Sequence, residues 1–338
     1  MSNAAREITL AQRPVGAIKL DDFDVKTVEL PPLKDGEVLV KNHWMSVDPY
    51  MRLYLGEQDG IHAPLQIGDT LDGGAVGQVI ESKSAKLPEG SYVQSPLMGW
   101  RDRFVSTDAM LQPIDPNLGP IRNFLGVFGL TGITAYGGTI DVLNPQESET
   151  LFVSGAAGAV GSLSVQLAKK RGAKVIGSAG TPEKGQWLTE TLGADGFINY
   201  KTDNLQEKLT ELAPEGIDMF FDNVGGSHLE AAIEAMKVRG RIALCGAIEL
   251  YDTDNYRAGP ANLFAIIEKG VTMTGFNAGL FTEQAGDFIA NLAKLAAEGS
   301  LISEETVVDG FENATRAFME MLEGKNIGKM LVRLDGAG

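Results

Sequence analysis

Leu151-Phe152-Val153-Ser154-Gly155-Ala156-Ala157-Gly158-Ala159-Val160-Gly161 lies near the middle of the chain and governs how the rest is read. Leu151 to Val153 is a short apolar run of the kind a buried parallel strand uses. Beyond the glycine-rich turn, Ser162 to Lys170 repeats small and apolar positions at helical spacing: Leu163 with Leu167, and Val160 with Ser164 and Ala168. Gly172 ends that segment, and Lys174-Val175-Ile176-Gly177 supplies the next strand. The order predicts a βαβ unit whose turn stands at a helix N-terminus. Backbone N–H groups and the positive end of the helix dipole attract a pyrophosphate at such a place. Small residues allow its close approach, and Gly161 lets helix and strand pack tightly.

In a chain with 41 glycines a glycine-rich string means little alone. The strand before it and the helix after it supply the context that a dinucleotide fingerprint requires, although alanine replaces one of the usual glycines. The bland alternative is a structural turn. An acid about 20 positions on would hold a ribose 2′-hydroxyl. From Val175 to Pro182 there is none: Ser178-Ala179-Gly180-Thr181 stands there, leaving room for a 2′-phosphate that Lys184 would neutralise. Glu183 argues the other way, and a lysine at 184 also suits an ordinary solvated surface. The balance predicts NADP rather than NAD.

At 338 residues the chain predicts about two domains with ample core. Its net charge of −16 and pI near 4.7 exclude a general nucleic-acid or anionic-membrane binder, while leaving room for a local basic phosphate pocket. Residues 1–7 lead into no signal-peptide core, and no apolar run approaches the roughly 18 residues of a membrane span. Cys245 stands alone, which excludes an intramolecular disulfide and a cysteine-built zinc site. His43, His62 and His228 lack metal-ligand spacing and read as structural or exposed. The methionines, Met110, Met219, Met236 and Met273 among them, read as core filler. The expectation is a cytoplasmic, metal-free protein.

Residues 1 to about 125 carry short strand signals separated by Pro31-Pro32, Asp35-Gly36, Pro88-Glu89-Gly90 and Pro113. The strand candidates are 37–41, 77–81, 91–94 and 103–105, and their spacing suggests a small β-barrel-like domain. In Ser46-Val47-Asp48-Pro49-Tyr50-Met51-Arg52, Pro49 holds Asp48 away from helical geometry, so a turn at a strand end is expected. From about 126 the texture alternates. Helices are predicted at 185–192, 205–212, 229–236 and 283–298, and strands at 196–200, 217–221, 241–246 and 271–275. This succession indicates a doubly wound sheet with ligands beyond the carboxyl ends of its strands. A helix at 314–322 and a strand at 329–334 complete the chain, the strand being suited to return to the first domain. The expected division is 1–125, 126–300 and a returning 301–338.

Taken together, the motifs resemble those of the medium-chain dehydrogenase/reductases, and more narrowly the zinc-independent prostaglandin reductase, alkenal double-bond reductase and bacterial curcumin reductase group. The resemblance is carried by SVDPYMR at 46–52, GWRDRFV at 99–105, GLTGITAYGG at 129–138 and AAGAVGS at 156–162, followed by DNVGG at 222–226, CGAIELY at 245–251 and GFENATRAFMEMLEGKNIGK at 310–329. It implies an α/β protein with a GroES-like β-barrel catalytic domain, a Rossmann NADP-binding domain and commonly a homodimer. Zinc-dependent relatives carry an early cysteine and a Gly-His-Glu segment; here the corresponding places read 42–48 and Asp72-Gly73-Gly74.

By the same resemblance, Gly158, Ala159, Val160 and Gly161 form the pyrophosphate loop, and Lys184 and Tyr200 lie around the adenosine phosphate. Asn223, Cys245, Tyr251, Phe276, Asn277 and Asn326 follow along the cofactor, Asn277 standing where the family usually has an apolar residue. The implied reaction is NADPH-dependent reduction of the carbon–carbon double bond of an α,β-unsaturated ketone or aldehyde. Hydride goes to the β-carbon, and the resulting enolate is stabilised and protonated. Tyr251 is the candidate hydroxyl for that task; its alternative role is to hold the nicotinamide ribose. Tyr50 is a candidate for the substrate wall. A metal-free quinone reductase of the same fold and a non-enzymatic NADPH sensor are the competing readings.

Overall fold

A computed structural model describes residues 4–57, 63–251 and 259–334. The chain divides into two units: Met1–Leu125 with Glu305–Asn326 and Met330–Gly338, and Gly126–Glu304 with Ile327–Lys329.

In the first unit Ala4–Leu10 (β1) and Phe23–Glu29 (β2) pair antiparallel. Glu37–Ser46 (β3) follows, then Ala75–Ser82 (β4), Tyr92–Ser95 (β5), Arg103–Thr107 (β6) and the short Gln112–Pro113 (β7). β3 is the spine of the larger sheet. It pairs antiparallel with β4 and with β6, and its Val38 and Val40 are wholly buried. β3 ends at Ser46, Asp48 is extended, and Pro49 opens the helical turn Pro49–Leu55. Proline's fixed φ suits a first helical position and bars helical geometry just before it, so the expected turn at a strand end is where the residues place it.

The second unit opens with Leu130–Tyr136 (α1), which widens into a π-helical turn at Gly137–Leu143. Then come Thr150–Val153 (β8), Ala159–Lys170 (α2), Lys174–Ala179 (β9), Pro182–Gln186 (α3) and Gly196–Asn199 (β10). Leu205–Leu212 (α4), Ile217–Asp222 (β11), Gly226–Ala235 (α5) and Met236–Leu244 (β12) continue the alternation, and Phe264–Lys269 (α6), Thr272–Gly275 (β13) and Ala285–Ala297 (α7) close it. The six strands run parallel in the order β10-β9-β8-β11-β12-β13. Successive strands move one way from β8 and the other way from β11, so the crevice where such sheets take ligands lies at the carboxyl ends of β8 and β11. The pleat sends Val153, Val175, Met219 and Phe221 into one core and Phe152, Ile176, Phe220 and Ile242 into the other. Both faces are covered, which is why these strands read as continuous apolar runs.

The chain then returns through Glu305–Asp309 (β14), Ala314–Leu322 (α8) and Lys329–Arg333 (β15). β15 sets Leu331 opposite Ser46 and Arg333 opposite Trp44, adding to the β3 sheet.

Three expectations need correction. The helix expected at 185–192 starts earlier, at Pro182, and widens to a π-helical turn over Trp187–Thr191. The helix expected at 229–236 begins at Gly226 and stops at Ala235, and Met236 already belongs to β12. Met219 and Met236 are buried, but Met110 is 58% exposed on a surface turn and fills no core. His62 lies outside the described residues.

Candidate active site

The pyrophosphate loop is built from backbone. Gly155 turns the chain with φ of +58°, Ala156 N–H donates to the Ser178 carbonyl at 2.8 Å, and Gly158 N–H donates to the Gly155 carbonyl at 3.0 Å. α2 starts at Ala159, with Gly158 as its N-cap and no side chain capping it, so the first N–H groups of the helix have no acceptor within the helix. Gly158, Ala159 and Val160 are half-exposed, whereas Gly161 is buried. A Cβ on Gly161 would overlap the Gly155 carbonyl oxygen and come within 2.8 Å of Ala156 Cα. Only glycine allows the helix to sit this close under the loop.

The same loop is clamped from behind. Gly328 N–H donates to the Ala157 carbonyl at 2.8 Å, and Gly158 and Gly328 form a parallel bridge. Gly328 has φ of +66°, and a Cβ there would overlap the Glu304 carbonyl oxygen. The carboxamide of Gln166, on α2, donates to the Ser162 and Ile302 carbonyls and accepts from Ile302 N–H. Asn326 lies two positions before Gly328 in the chain.

At the carboxyl end of β9, the fully buried Ser178 meets His228 Nε2 at 3.0 Å. Burial pulls the His228 imidazole down to about 4, so it is neutral at physiological pH. The ring of Tyr200 stands edge-on to it, centroids 5.4 Å apart. Tyr200 is 39% exposed, and its partial burial raises its phenol above the ordinary value. Thr181 caps α3 by accepting from Lys184 N–H. The carboxylate of Glu183, which argued against a 2′-phosphate, accepts from its own N–H and from the Thr181 hydroxyl and is held below the usual carboxylate range. It is engaged at the helix start. Burial and then the charge of Lys201 lower the Lys184 ammonium.

At the end of β11 lies a polar knot. The buried Asp222 accepts through Oδ1 from Ser154 Oγ at 2.9 Å, Val224 N–H at 3.0 Å and Gly225 N–H at 2.9 Å. Ser154 Oγ accepts from Asn223 N–H, and Asn223 Nδ2 donates to the Ser154 carbonyl, each at 2.8 Å. These bonds fasten β8 to β11 at the crevice and fix Asn223 beside the loop, 3.6 Å from where a Gly155 Cβ would stand. Burial raises Asp222 above its ordinary value, and its Oδ2 has no hydrogen-bond partner among the described residues.

β12 ends next to this knot. Cys245 and Gly246 N–H groups both donate to the Asp222 carbonyl. Burial, with Asp222 beside it, pushes the Cys245 thiol up to about 12, so it is a neutral thiol and no nucleophile. Tyr251 folds back so that its Oη accepts from Ala247 N–H at 3.3 Å. A Cβ on Gly246 would lie 3.3 Å from both Tyr251 Oη and the Asn223 carbonyl, so these residues converge. Burial, foremost, raises the Tyr251 phenol. Phe276 N–H bonds the Leu244 carbonyl, and its ring packs in the core against Phe221 and Phe281. Asn277 is exposed and caps a turn, its Oδ1 accepting from Gly279 N–H at 2.9 Å.

In the first unit, Tyr50 packs on Tyr54 with ring centroids 5.6 Å apart. Burial, then Asp48, Tyr54 and Asp72, push its phenol well above the ordinary value. Ser46 Oγ donates to Asp48. Among the described residues no group of three or more His, Cys, Asp or Glu side chains converges as a metal site would require.

Sequence reasoning gave no site role to Ser154, Asp222, Gly328 or Lys201, and read His228 as structural or exposed. Asp222 opens the DNVGG motif and had a signal; the others are joined only by the fold.

Residues 6–114 match the family described as "N-terminal domain of oxidoreductase", and residues 159–297 match "Zinc-binding dehydrogenase". Prostaglandin reductase 1 of Bos taurus is 42% identical over 335 residues, covering 97% of this chain and 99% of its own. The NADPH-dependent curcumin reductase of Escherichia coli (strain K12) is 33% identical over 337 residues, covering 98% and 97%. The crystal structure of CurA in complex with NADPH from Vibrio vulnificus superposes with a TM-score of 0.93 at 36% identity, covering 98% of this chain and 100% of the other.

Proposed function

The chain belongs to the medium-chain dehydrogenase/reductase family, in the group of the prostaglandin and curcumin reductases, and from that premise we propose that it catalyses the NADPH-dependent reduction of the carbon–carbon double bond of α,β-unsaturated ketones or aldehydes. The observation that carries the reading is the Tyr251 hydroxyl at the carboxyl end of β12, beside Asn223 and Gly246.

The residues fit a dinucleotide: the cradle under Gly155 excludes a Cβ at Gly161, and the end of β9 carries Lys184 with no competing acid free to take its place. NADPH, when bound, supplies a hydride for the β-carbon of the substrate. The N–H groups at 158–161 bind the pyrophosphate, Lys184 and Tyr200 hold the adenosine phosphate, and Asn223, the strand end at Cys245, the backbone of Phe276, Asn277 and Asn326 bind along the rest. Tyr251 Oη accepts from Ala247 N–H, which leaves its own proton available for donation. As negative charge develops on the substrate oxygen, that hydrogen bond strengthens and lowers the barrier. Burial keeps the phenol protonated at neutral pH, so it remains a donor there. Tyr50 supplies a wall for the substrate.

We propose a reaction without a metal, a reading supported by the absence, among the described residues, of any group of three or more His, Cys, Asp or Glu side chains that could hold one. A cytoplasmic homodimer is the form we propose. β13 is the edge of the parallel sheet, and exposed apolar side chains stand near it in sequence, Phe264 at 66%, Ile267 at 74% and Leu280 at 64%. No described helix is long and apolar enough to cross a membrane.

The test is NADPH consumption with a panel of enals, linear enones, diarylheptanoids and quinones, before and after exhaustive chelation. The expected result is oxidation driven by enones or enals, a saturated carbonyl product and full activity after chelation. Turnover of quinones alone would contradict the substrate class, and activity lost on chelation and restored by zinc would contradict the metal-free mechanism.

A further inference from the structure

Asp222 closes β11 at the crevice of the parallel sheet. It is 1% exposed, and its two carboxylate oxygens stand in different surroundings. Oδ1 accepts from the Ser154 hydroxyl and from the Val224 and Gly225 N–H groups, at 2.9, 3.0 and 2.9 Å. Oδ2 is enclosed by protein and accepts from nothing among the described residues. Asp222 also makes no ion pair among them. Glu249, whose charge reaches Asp222, has the same sign. Burial raises this acid, and the three donors on Oδ1, which favour the ionised form, oppose the rise. These donors are dipoles. A charge kept inside a protein ordinarily has a counter-ion, because an unpaired one is costly.

The carboxylate acts on the neighbouring strand end. Cys245 and Gly246 N–H groups donate to the Asp222 carbonyl, so β12 ends against it. Burial is the main cause of the raised Cys245 thiol and Tyr251 phenol, and the charge of Asp222 contributes to both. A positive charge arising at this crevice would meet a preformed negative one.

The proposed reaction creates such a charge. Hydride leaves the nicotinamide with its electron pair for the β-carbon of the enone. The π pair of the enone passes to the carbonyl oxygen, and the enolate then takes a proton at the α-carbon. The ring left behind carries one positive charge. We propose that Asp222 is the countercharge of the oxidised nicotinamide, acting through space from beneath the crevice without touching the cofactor. This inference rests on the reading of the protein as an NADPH-dependent reductase with the hydride-bearing end of the cofactor beside Tyr251, and deepens it. Asp222 thus favours NADP⁺ over NADPH in the bound state and makes the bound cofactor a stronger hydride donor.

Asp222→Asn keeps an acceptor for Ser154, Val224 and Gly225 and removes the charge. Dissociation constants for NADPH and NADP⁺ are measured separately by calorimetric titration, with no substrate present. In the variant, Kd for NADP⁺ should rise about tenfold, in the range for one unit charge acting through protein without contact. Kd for NADPH should change less than twofold. Asp222→Thr, whose hydroxyl buries no unpartnered amide, should shift the ratio of the two constants alike, and it serves if the amide variant does not fold. Ser154→Ala is the matched control. It loosens the same knot but keeps the carboxylate, so both constants should move by one factor and their ratio should stay. If wild type reduces an enone with NADPH and the neutral variants keep the wild-type ratio, Asp222 is a fastener of strand ends only, and the assignment is wrong while the proposed function stands. If wild type passes no hydride from NADPH to any enone or enal, the proposed function fails and the countercharge with it.

Discussion

Tyr251 is the residue on which the chemistry turns. Tyr251→Phe keeps the ring and removes the donor. Loss of a sole oxyanion donor costs about 10²–10³ in turnover. A phenol sharing that work with a ribose hydroxyl or water costs nearer tenfold, about 1.4 kcal/mol. The smaller loss is expected in steady-state enone reduction, with NADPH affinity little changed because the loop at 158–161 and Lys184 are untouched. Unchanged turnover would remove Tyr251 from the reaction. At this scale the residues that stand in motifs could be named from the sequence: Asn223, Cys245 and Tyr251, from DNVGG and CGAIELY, lie at neighbouring strand ends. It was not legible for His228 against Ser178, or Lys201 beside Lys184, because these pairs are 50 and 17 positions apart and nothing local marks either partner.

Among the elements, the strand, turn and helix from Thr150 to Lys170 were readable because each part meets a distinct local demand. Apolar residues fill a two-sided strand, glycines fit a tight turn, and small residues line a helix buried along most of its length. α1 escaped notice for a related reason. Gly132, Gly137 and Gly138 lower its helical signal, yet a Cβ at these positions would overlap Val127, Phe281 and Phe276 respectively. Close packing here overrides propensity. The loop offers a test of its own role. In Gly161→Ala the methyl meets backbone at Gly155 and Ala156, which cannot swing aside, and overpacking of this kind costs about 1–3 kcal/mol. Calorimetric titration should show NADPH and NADH weakened by the same factor, about tenfold, together with a lower melting temperature. Selective loss of NADPH alone would mean that the loop does not serve the pyrophosphate common to both.

For the whole molecule, alternation of strand and helix announced the parallel sheet, and the order β10-β9-β8-β11-β12-β13 places its crevice between the two motifs that frame the site, the glycine-rich turn and DNVGG. The first unit was less legible. β1 and β2 carry Arg6, Glu7, Asp24 and Lys26 among their apolar residues, and short antiparallel strands with one solvated face leave a weak signal. The acidic surface, at a net charge of −16, repels an anionic cofactor at long range, so the basic end of β9 must act locally. The central claim is that hydride is delivered to the β-carbon of an enone. The most direct measurement is the turnover of a linear enone with NADPH carrying deuterium at the transferable position of the nicotinamide, followed by NMR of the product. The expected product is the saturated ketone with one deuterium at the β-carbon and a solvent-derived proton at the α-carbon. Deuterium on a carbinol carbon, in an allylic alcohol, would contradict it.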